Sequence, residues 1–528
     1  MDTTGSQIPG DGQQQYHNNP AADVVAEASR PVREAADDPH RLANSFIRPA
    51  IPDDDNLAHL PALRYWRGDW FEFAGGCYQR LDPGDLRAEL TRHVKAEADE
   101  AHRRERLRLA IACRDSGGTK EAIEKAADTA KPPFRVTEGL LSSVLNALKS
   151  MVTVPSGLDD PSWLPGTKSE LAAEPASELL VFPNCVYSPS RHRIGESTPE
   201  LWTTRTLGAP LEWDAQTPAR WMRFLGEIWP DDPDSVRALQ QYMGYCLTSG
   251  TRFEKLLFLL GPVRSGKGSI LQVIEGLVGE ASFAAPTLAS LGERFGLEDL
   301  IGKRVAGIGD ARFAAGGPAM AATVERLLSV SAGDALNIQR KFKGDVVTRL
   351  STKIVIASNE LPRLRDASAA VVSRVLLLRL TKSFKDEEDA TLKAALLGEL
   401  AGIMAWAVRG LCDLRASGRL LQPETGREAL QQMTRLSSSV QAFLEDMCHV
   451  ASPGDPNINE FRIPTTTLHA AWQKWCKAQG TTPSNREQFG KDLVAAAPSV
   501  TCKLSRYDKH PARCFVGVTL RERGSQYQ

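Results

Sequence analysis

The chain has 528 residues, of which 42% are hydrophobic and 24% charged, and its net charge is -1. These values are typical of a globular protein of about three domains and exclude a global basic field, so nucleic acid would have to bind local patches. No apolar run approaches about 18 residues and the N-terminus lacks the features of a signal peptide, so we expect a cytoplasmic protein, neither membrane-inserted nor secreted.

The cysteines favour the same compartment. Nine cysteines lie between Cys77 and Cys514 without a single C-x-x-C pair. This spacing disfavours a zinc ribbon and a redox motif, and it predicts reduced, mostly buried thiols.

The first part of the chain predicts a tail followed by an α+β domain. Residues 1–55 are rich in Gln, Asn, Asp, Pro, Gly and Ala and have too little apolar surface to offset the entropy of ordering, which predicts a disordered tail. Residues 56–215 are predicted to form an α+β N-terminal domain. It begins with an aromatic hairpin over 65–78, continues with helices over 83–112 and 137–151, and ends in short strands.

A glycine-bracketed loop follows the next apolar run. Helical patterns over 218–229 and 234–247 precede a strand over 255–260, and another helical pattern follows the loop. In such a loop, backbone N–H groups and the positive end of the helix converge on an anion while a lysine reaches the outer phosphates. The sequence therefore predicts an ATP-binding loop made of Gly261, Pro262, Val263, Arg264, Ser265, Gly266, Lys267, Gly268 and Ser269.

Three further apolar runs, 304–309, 353–357 and 374–378, predict strands separated by helices. This alternation predicts an α/β sheet with a nucleotide at the carboxyl ends of its strands. Asp310 follows the first run, where it is placed to hold Mg²⁺, and Asn359 follows the second, where its amide is placed to orient water or contact the γ-phosphate. An aspartate in a turn and an asparagine near a proline are the structural alternatives.

Two basic features lie around the strand that ends at Asn359. Residues 331–345 alternate basic residues with an aromatic one, a pattern typical of a hairpin that grips a phosphodiester backbone, here with Arg340, Lys341 and Lys343. Arg374 begins the last strand, where an arginine can reach the ATP of a neighbouring subunit. A solvated surface is the alternative for both features.

The C-terminal region is locally basic. Residues 461–528 contain eleven Lys/Arg and four Asp/Glu, an excess of seven positive charges. A helical pattern from Pro464, a second helix opened by the capping box of Ser484 and Glu487, and a β-ribbon over 500–519 follow the order of a winged helix. We assign 436–528 to a winged-helix-like DNA-binding domain, with a basic protein-docking module as the alternative.

The order and spacing of these motifs resemble superfamily 3 helicases. The loop 261–269, Asp310, the Gly-Asp-x6-Lys-Phe-Lys segment, Asn359 and Arg374 look most like the phage and plasmid primase-helicase family related to satellite-phage and poxvirus replication proteins. The resemblance implies an AAA+-like P-loop ATPase core over 216–415 behind an N-terminal domain of primase-helicase type. It also implies a homo-hexamer that uses ATP and Mg²⁺, translocates 3′ to 5′ on single-stranded DNA, and works in a bacterial host on forked DNA with replication-initiation proteins.

The resemblance further implies a role for each matching residue. Lys267 would contact the β- and γ-phosphates, Ser269 and Asp310 the metal, Asn359 the sensor position, Arg374 the finger, and Lys341 with Lys343 the DNA. The chain departs from the family pattern at two places. Gly268 moves the usual hydroxyl one position to Ser269, and Asp310 is followed by Ala311 rather than by a second acid, so the residue that activates water is unassigned.

Primer synthesis is not expected of this chain, although many relatives carry a primase domain ahead of the helicase. That reaction needs clustered acidic metal ligands on a strand, and the sequence offers none. The run Asp53-Asp-Asp55 stands in polar, proline-flanked sequence and is interpreted as a linker.

Two other functions stay open beside the helicase. The order Gly-Lys-Gly-Ser also occurs in nucleoside monophosphate kinases, which keeps a small-molecule phosphotransferase under consideration. The single acid at Asp310 is compatible with a non-enzymatic origin-binding protein in which ATP only controls assembly.

Overall fold

The computed structural model describes residues 34–47, 62–311, 318–362, 370–385, 387, 389–437, 439–452, 454–480, 483–507 and 510–521. The chain divides into two compact units, one made of residues 1–71 and 80–156 and the other of 72–79 and 157–528. Residues 157–215, which the sequence analysis places in the N-terminal domain, therefore group with the predicted ATPase region.

The first unit is mainly helical. Its helices are α1 Pro39–Ile47, α2 Pro83–Asp115, α3 Lys120–Asp128 and α4 Glu138–Val152. The aromatic segment forms strands β1 Leu63–Trp66, β2 Asp69–Ala74 and β3 Cys77–Leu81, of which residues 72–79 are grouped with the second unit. Helix α1 lies within the predicted disordered tail, so that prediction is wrong over these residues. Leu42 and Ala43 are fully buried in one core with α2 and α4, which supplies the apolar burial that composition alone did not indicate. Residues 1–33 and 48–55 of the predicted tail, including Asp53-Asp-Asp55, lie outside the described residues.

The second unit begins with short strands and two helices. These elements are β4 Ser162–Trp163, β5 Leu180–Val181, β6 Val186–Ser188, β7 Arg193–Gly195, β8 Leu201–Trp202, α5 Ala219–Ile228 and α6 Pro233–Cys246. Leu180 of β5, Tyr187 of β6 and Phe182 from the connection between these strands share one buried cluster with α5 and α6. This shared core explains why residues 157–215 group with the predicted ATPase region.

A five-stranded parallel sheet forms the centre of the second unit. Its strands are β9 Leu256–Leu260, β10 Phe283–Ala284, β11 Val305–Ile308, β14 Lys353–Ser358 and β15 Val375–Arg379. They pair in the order β10-β11-β14-β9-β15. An antiparallel hairpin of β12 Ala335–Arg340 and β13 Lys343–Arg349 lies between β11 and β14 in the chain. The structure thus confirms the predicted α/β class with a parallel sheet.

Helices cover both faces of this sheet. They are α7 Lys267–Val278, α8 Leu288–Leu291, α9 Pro318–Ala332, α10 Ala370–Ser373, α11 Leu392–Gly398, α12 Leu400–Ser417 and α13 Glu424–Ser437. In β9, Leu257 and Leu259 join a core with α5, α6, α7 and α12, whereas Leu256 and Phe258 join a second core with α8, α9 and α13. Because successive side chains of a strand point to opposite faces, a wholly apolar strand indicates a sheet that is buried on both sides.

The C-terminal segment has its own core. It comprises α14 Ser439–Met447, β16 Cys448–Val450, β17 Arg462–Pro464, α15 Thr465–Ala478, α16 Arg486–Ala496, β18 Thr501–Tyr507, β19 His510–Val516 and β20 Val518–Leu520. Trp472 of α15 stacks on Phe489 of α16 with ring centroids 4.6 Å apart. The predicted capping box at Ser484 is wrong by one residue, because Asn485 is the N-cap and its side-chain oxygen accepts from the Gln488 N–H at 2.9 Å.

Among the described helices, none alone combines the length and the apolar composition needed to span a membrane. The pair α11 and α12 meets that test only when taken together, and the two helices are bent by 70° at their junction.

Candidate functional site

Two glycines allow the loop between β9 and α7 to pack closely against neighbouring residues. A Cβ on Gly261 would lie 2.6 Å from the carbonyl oxygen of Leu380, closer than packed atoms allow. Gly266 has φ +94°, and a Cβ there would press on Phe224 at 3.0 Å. The loop ends at Gly266, the N-cap of α7, whose carbonyl oxygen accepts from the N–H groups of Ser269 and Ile270. The N–H groups that precede these in a helix have no acceptor within the helix, and such groups can bind an anion.

Lys267, the first residue of α7, has its ammonium group folded into the loop. Its Nζ donates to the carbonyl oxygens of Gly261 and Pro262, both at 2.7 Å, and to Ser265 Oγ at 3.2 Å. Burial lowers the pKa of Lys267, and the nearby negative charge of Asp310 opposes this effect. Phosphate oxygens entering the loop could replace these neutral acceptors with charged ones, which bind an ammonium group more strongly.

Asp310 and Asn359 meet at the carboxyl edge of the sheet. Strands β11 and β14 pair in parallel with Ile308 opposite Ile356, so the residues that follow them emerge side by side. Asn359 Nδ2 donates to Asp310 Oδ1 at 3.3 Å. Asp310 has φ +49°, a left-handed conformation that is uncommon outside glycine and that recurs at functional sites.

One cavity of about 780 Å³ brings four of the predicted site residues together. Lys267, Ser269, Asp310 and Asn359 all line it, together with the loop residues from Val263 onward. Among the lining residues that were not predicted as site residues, Glu360 and Lys393 are the two with charged side chains. Glu360 directly follows Asn359, so its proximity to the site could have been read from the same strand end, whereas Lys393 lies on α11 and carries no sequence signal.

The donors in this cavity suit a hard divalent cation. Ser269 and Asp310 offer oxygen ligands, and across the described residues there is no group of three or more His, Cys, Asp or Glu side chains able to hold a metal. Mg²⁺ characteristically takes one or two protein oxygens and completes its shell with phosphates and water. The residues present therefore fit Mg²⁺ that enters with a nucleotide better than a permanent metal centre.

A second cavity, of about 480 Å³, adjoins the first. The two share Arg264, Gly266, Ser269 and Lys393 as lining residues. The second cavity is walled by apolar Phe224, Phe384 and Leu392 and by charged groups that include Arg220 and Asp389, paired at 3.1 Å. The Phe384 N–H donates to the Arg264 carbonyl oxygen at 2.9 Å, which attaches this wall to the loop.

Arg374 lies away from these residues, at the amino ends of the strands, whereas the loop lies at their carboxyl ends. It precedes β15, whose first residue Val375 pairs with Leu256 at the start of β9, so the length of a five-residue strand, roughly 16 Å, separates it from the loop. Arg374 Nη1 donates to the Leu328 carbonyl oxygen at 2.6 Å, and Nη2 pairs with Glu254 at 3.5 Å. Within one chain, Arg374 therefore does not join the site of Lys267.

The predicted DNA-binding residues lie at the tip of the β12–β13 hairpin. Phe342 at the turn is 94% exposed and has φ +60°, and Lys341 Nζ lies 5.3 Å from its ring centroid. Lys341 and Lys343 are exposed, whereas Arg340 donates from Nε to the Gly344 carbonyl oxygen at 2.9 Å within the hairpin. The tip therefore presents an aromatic ring flanked by two solvent-exposed cationic side chains.

The C-terminal β18–β19 ribbon is a second exposed basic surface. Lys503, Arg506 and Arg513 are exposed, and Arg513 stands opposite Leu504, which is 79% exposed. The order of helix, helix and ribbon is the one that the sequence analysis predicted. Its assignment as a winged helix stays a prediction.

Comparison with known protein families gives three matches. Residues 53–230 match the family described as D5 N terminal like, residues 437–515 match Poxvirus D5 protein-like, and residues 259–374 match a family of unknown function, DUF5906. The two D5-like matches support a relation to the D5-like primase-helicase proteins of phages and poxviruses. The third spans the chain from the end of β9 to Arg374.

Comparison with solved structures gives distant similarities. Two apo structures of the NrS-1 C-terminal region align with 86% and 87% of this chain and with 97% and 96% of their own, at 11% identity and TM-scores of 0.44 and 0.47. Similarity at this level is too low to establish a common fold. No curated protein matches the chain.

Proposed function

We propose that this chain is an ATP-dependent DNA helicase of phage or plasmid replication, belonging to superfamily 3. The observation that carries the proposal is the convergence of Lys267, Ser269, Asp310 and Asn359 on one cavity at the carboxyl edge of a parallel sheet. That edge is where open α/β sheets bind their ligands. The D5-like matches on both sides of this region support a role in replication.

ATP binding would use the two adjoining cavities. The N–H groups of the loop and Lys267 would hold the phosphates, and Ser269 with Asp310 would hold Mg²⁺, which when bound neutralises charge on the transferred phosphoryl group. The nucleoside would occupy the second cavity against Phe384, since its volume of about 480 Å³ lies in the ordinary range for ligand pockets. Arg264 and Lys393 in the shared wall would then lie beside the middle of the triphosphate.

DNA would be bound by the hairpin tip and by the C-terminal ribbon. Lys341 and Lys343 supply positive charge for the phosphodiester backbone, and an exposed ring such as Phe342 offers a face on which bases stack. The net charge of -1 makes these local patches necessary, because the whole molecule does not attract DNA.

Assembly into a ring, as proposed here, would complete the site. Arg374 does not reach the loop of its own chain, so its action as a finger requires a neighbouring subunit. A heterologous interface that closes on itself produces a ring, and a hexamer is the form that the resemblance implies.

A phosphotransferase is the second candidate. The observation in its favour is the second cavity, which adjoins the loop and has room for a nucleoside monophosphate as acceptor. The exposed hairpin and the basic ribbon have no use in such an enzyme, which favours the helicase.

ATP turnover by the full chain separates these functions. The helicase predicts phosphate release that single-stranded DNA stimulates severalfold, with no transfer to nucleoside monophosphates. Formation of nucleoside diphosphate from an added monophosphate would establish the kinase instead. ATP binding without any turnover, with or without DNA, would leave the ATP-controlled origin-binding protein.

A further inference from the structure

The proposed hydrolysis needs a residue that activates water. The family pattern has a second acid directly after the metal-binding aspartate, and this chain has Ala311 there. A water molecule that attacks the γ-phosphate needs an acceptor for its proton or a group that orients it. Asp310 is followed by Ala311, and the next acidic residue along the chain is Glu325. The segment after β11 therefore cannot provide a second carboxylate next to Asp310.

Glu360 brings a carboxylate to the same cavity from the neighbouring strand. Of the described residues that line the cavity around Lys267, Asp310 and Glu360 are the two with carboxylate groups. Glu360 is exposed to the cavity, and no ion-pair partner for it is found in the described part of the chain. Asp310 is already engaged, since it accepts from Asn359 and attracts Lys267.

The backbone of Glu360 is held in place by the end of β14. Ser358 is fully buried, and its Oγ accepts from the Glu360 N–H at 3.2 Å and lies 2.9 Å from the Glu360 carbonyl oxygen. The same Oγ lies 3.0 Å from the carbonyl oxygen of Ala311. One buried hydroxyl therefore joins the backbone segment that carries Asp310 to the backbone segment that carries Glu360, which holds the two segments side by side at the cavity.

We infer that Glu360 is the water-activating residue, an inference that rests on the proposed ATP hydrolysis. The Glu360 carboxylate accepts a proton from the attacking water as the water oxygen forms a bond to the γ-phosphorus. The bond between that phosphorus and the bridging oxygen breaks, and its electron pair leaves with ADP. Glu360 then releases the proton to solvent, so that ATP and water yield ADP, phosphate and a proton.

This arrangement divides the work between two carboxylates that follow the ends of adjacent strands, β11 and β14. Asp310 serves the metal and Glu360 serves the water. In the pattern that the chain resembles, both acids follow the same strand. The carboxylate missing at position 311 is therefore supplied by the segment that follows β14, within the same cavity.

Glu360→Gln tests the inference, because it keeps the size and hydrogen-bonding reach of the side chain and removes its basicity. We expect kcat for ATP in the presence of single-stranded DNA to fall about 100-fold or more, the range of general-base catalysis. Binding of a fluorescent ATP analogue should change less than about twofold, and the Mg²⁺ concentration that half-saturates this binding should not move. Asp310→Asn should instead raise that Mg²⁺ concentration. Glu325→Gln, outside the cavity, is the matched control and should leave all three quantities unchanged.

Three outcomes would overturn the inference. One is kcat within a few-fold of the unmodified chain, the second is a loss of analogue binding as large as the loss of kcat, and the third is a Mg²⁺ requirement that shifts in Glu360→Gln but not in Asp310→Asn. Failure of the proposed function is distinguishable from all of these, because the unmodified chain would then show no ATP turnover that Lys267→Ala abolishes.

Discussion

Lys353 is a buried cation at the amino end of the central sheet. It is 2% exposed at the start of β14, its Nζ donates to the Thr248 carbonyl oxygen, and it lies 5.2 Å from the Tyr245 ring centroid. Burial lowers the pKa of Lys353 from its ordinary value of 10.5 to about 7. The partners are a carbonyl group beyond the end of α6 and an aromatic face, which favour a cation but do not replace its lost hydration.

The depressed pKa predicts how stability depends on pH. Between pH 10.5 and about 7 the unfolded chain holds the Lys353 proton and the folded chain does not, so the free energy of unfolding falls as pH falls through this window and is constant below it. The slope contributed by one proton is at most about 1.4 kcal/mol per pH unit. Lys353→Met should therefore flatten the rise of the melting temperature between pH 7 and 10, measured without nucleotide.

The exposed hairpin lysine provides the control for this prediction. Lys343→Met removes the same charge from a solvated position and should leave the pH dependence unchanged. If the melting temperature rises with pH by the same amount in Lys353→Met and in the unmodified chain, the Lys353 proton is not linked to folding.

At the scale of residues, strand ends were the predictable part of the site. Asp310 and Asn359 follow apolar runs, and parallel strands bring their carboxyl ends to one edge, so the sequence pattern predicted residues that the structure places in contact. The strand end that predicts Asn359 also places Glu360 near the site, but it does not specify where the Glu360 side chain points, and Lys393 has no comparable signal. Glu360 stands in irregular chain and Lys393 on a short helix far along the sequence, and no periodic pattern specifies that either side chain faces the cavity.

Among the elements, the β12–β13 hairpin makes the sharpest prediction. Changing both Lys341 and Lys343 to alanine should weaken binding of single-stranded DNA and flatten its dependence on salt. The slope of log K against log salt should fall by about 0.7 for each phosphate that the variant no longer neutralises, because fewer counterions are released. Fluorescence anisotropy with an oligonucleotide at several salt concentrations measures this slope.

Phe342→Ala and a lysine pair of the first unit complete that experiment. Removing the exposed ring should weaken binding by about 1–3 kcal/mol for a base stacked on it and should leave the salt slope unchanged. Changing Lys120 and Lys125 of α3 to alanine removes equal charge elsewhere and should alter neither quantity. An unaltered slope in the hairpin double variant would mean that the tip does not contact phosphates.

Element types were more predictable than element ends. The strands of the sheet are apolar on both faces and bounded by glycine or polar residues, which fixes their identity and approximate position. The N-cap of α16 was misplaced because Ser484 and Asn485 are both good caps and only the backbone geometry distinguishes them. Helix α1 was missed because two buried residues, Leu42 and Ala43, hold it in a core, and this tertiary contact leaves no local signal.

For the whole molecule, the position of Arg374 predicts that the active unit is an assembly. Arg374→Ala should lower ATP turnover about 1000-fold or more, the range of arginine fingers, while leaving nucleotide binding largely intact. Lys267→Ala should also be inactive. When the two inactive variants are mixed, about a quarter of the interfaces should pair an intact loop with an intact Arg374, so ATP turnover should return.

A mixture of Glu360→Gln and Lys267→Ala is the matched control. Both residues line the same cavity of one chain, so no pairing of these two variants rebuilds a complete site, and turnover should not rise above that of Glu360→Gln alone. If the mixture containing Arg374→Ala also stays inactive, Arg374 acts only within its own chain, through Leu328 and Glu254.

Domain boundaries were the least predictable feature at this scale. The sequence analysis placed one boundary at residue 215, where helical patterns resume, but Leu180, Phe182 and Tyr187 pack in the same core as α5 and α6. A boundary depends on which apolar surfaces pack together, and this information is distributed over residues far apart in the chain. Shifts in composition along the sequence therefore mark changes in residue type, but they do not mark the limits of separate hydrophobic cores.

The most direct test of the proposed function is whether separation of DNA strands depends on the glycine-rich loop. A forked DNA duplex with one labelled strand, incubated with the full chain, Mg²⁺ and ATP, should release that strand. The Lys267→Ala chain should bind the fork with unchanged affinity and release nothing. Strand release at the same rate by Lys267→Ala, or ATP turnover by the unmodified chain with no separation of the fork at any protein concentration, would contradict the account.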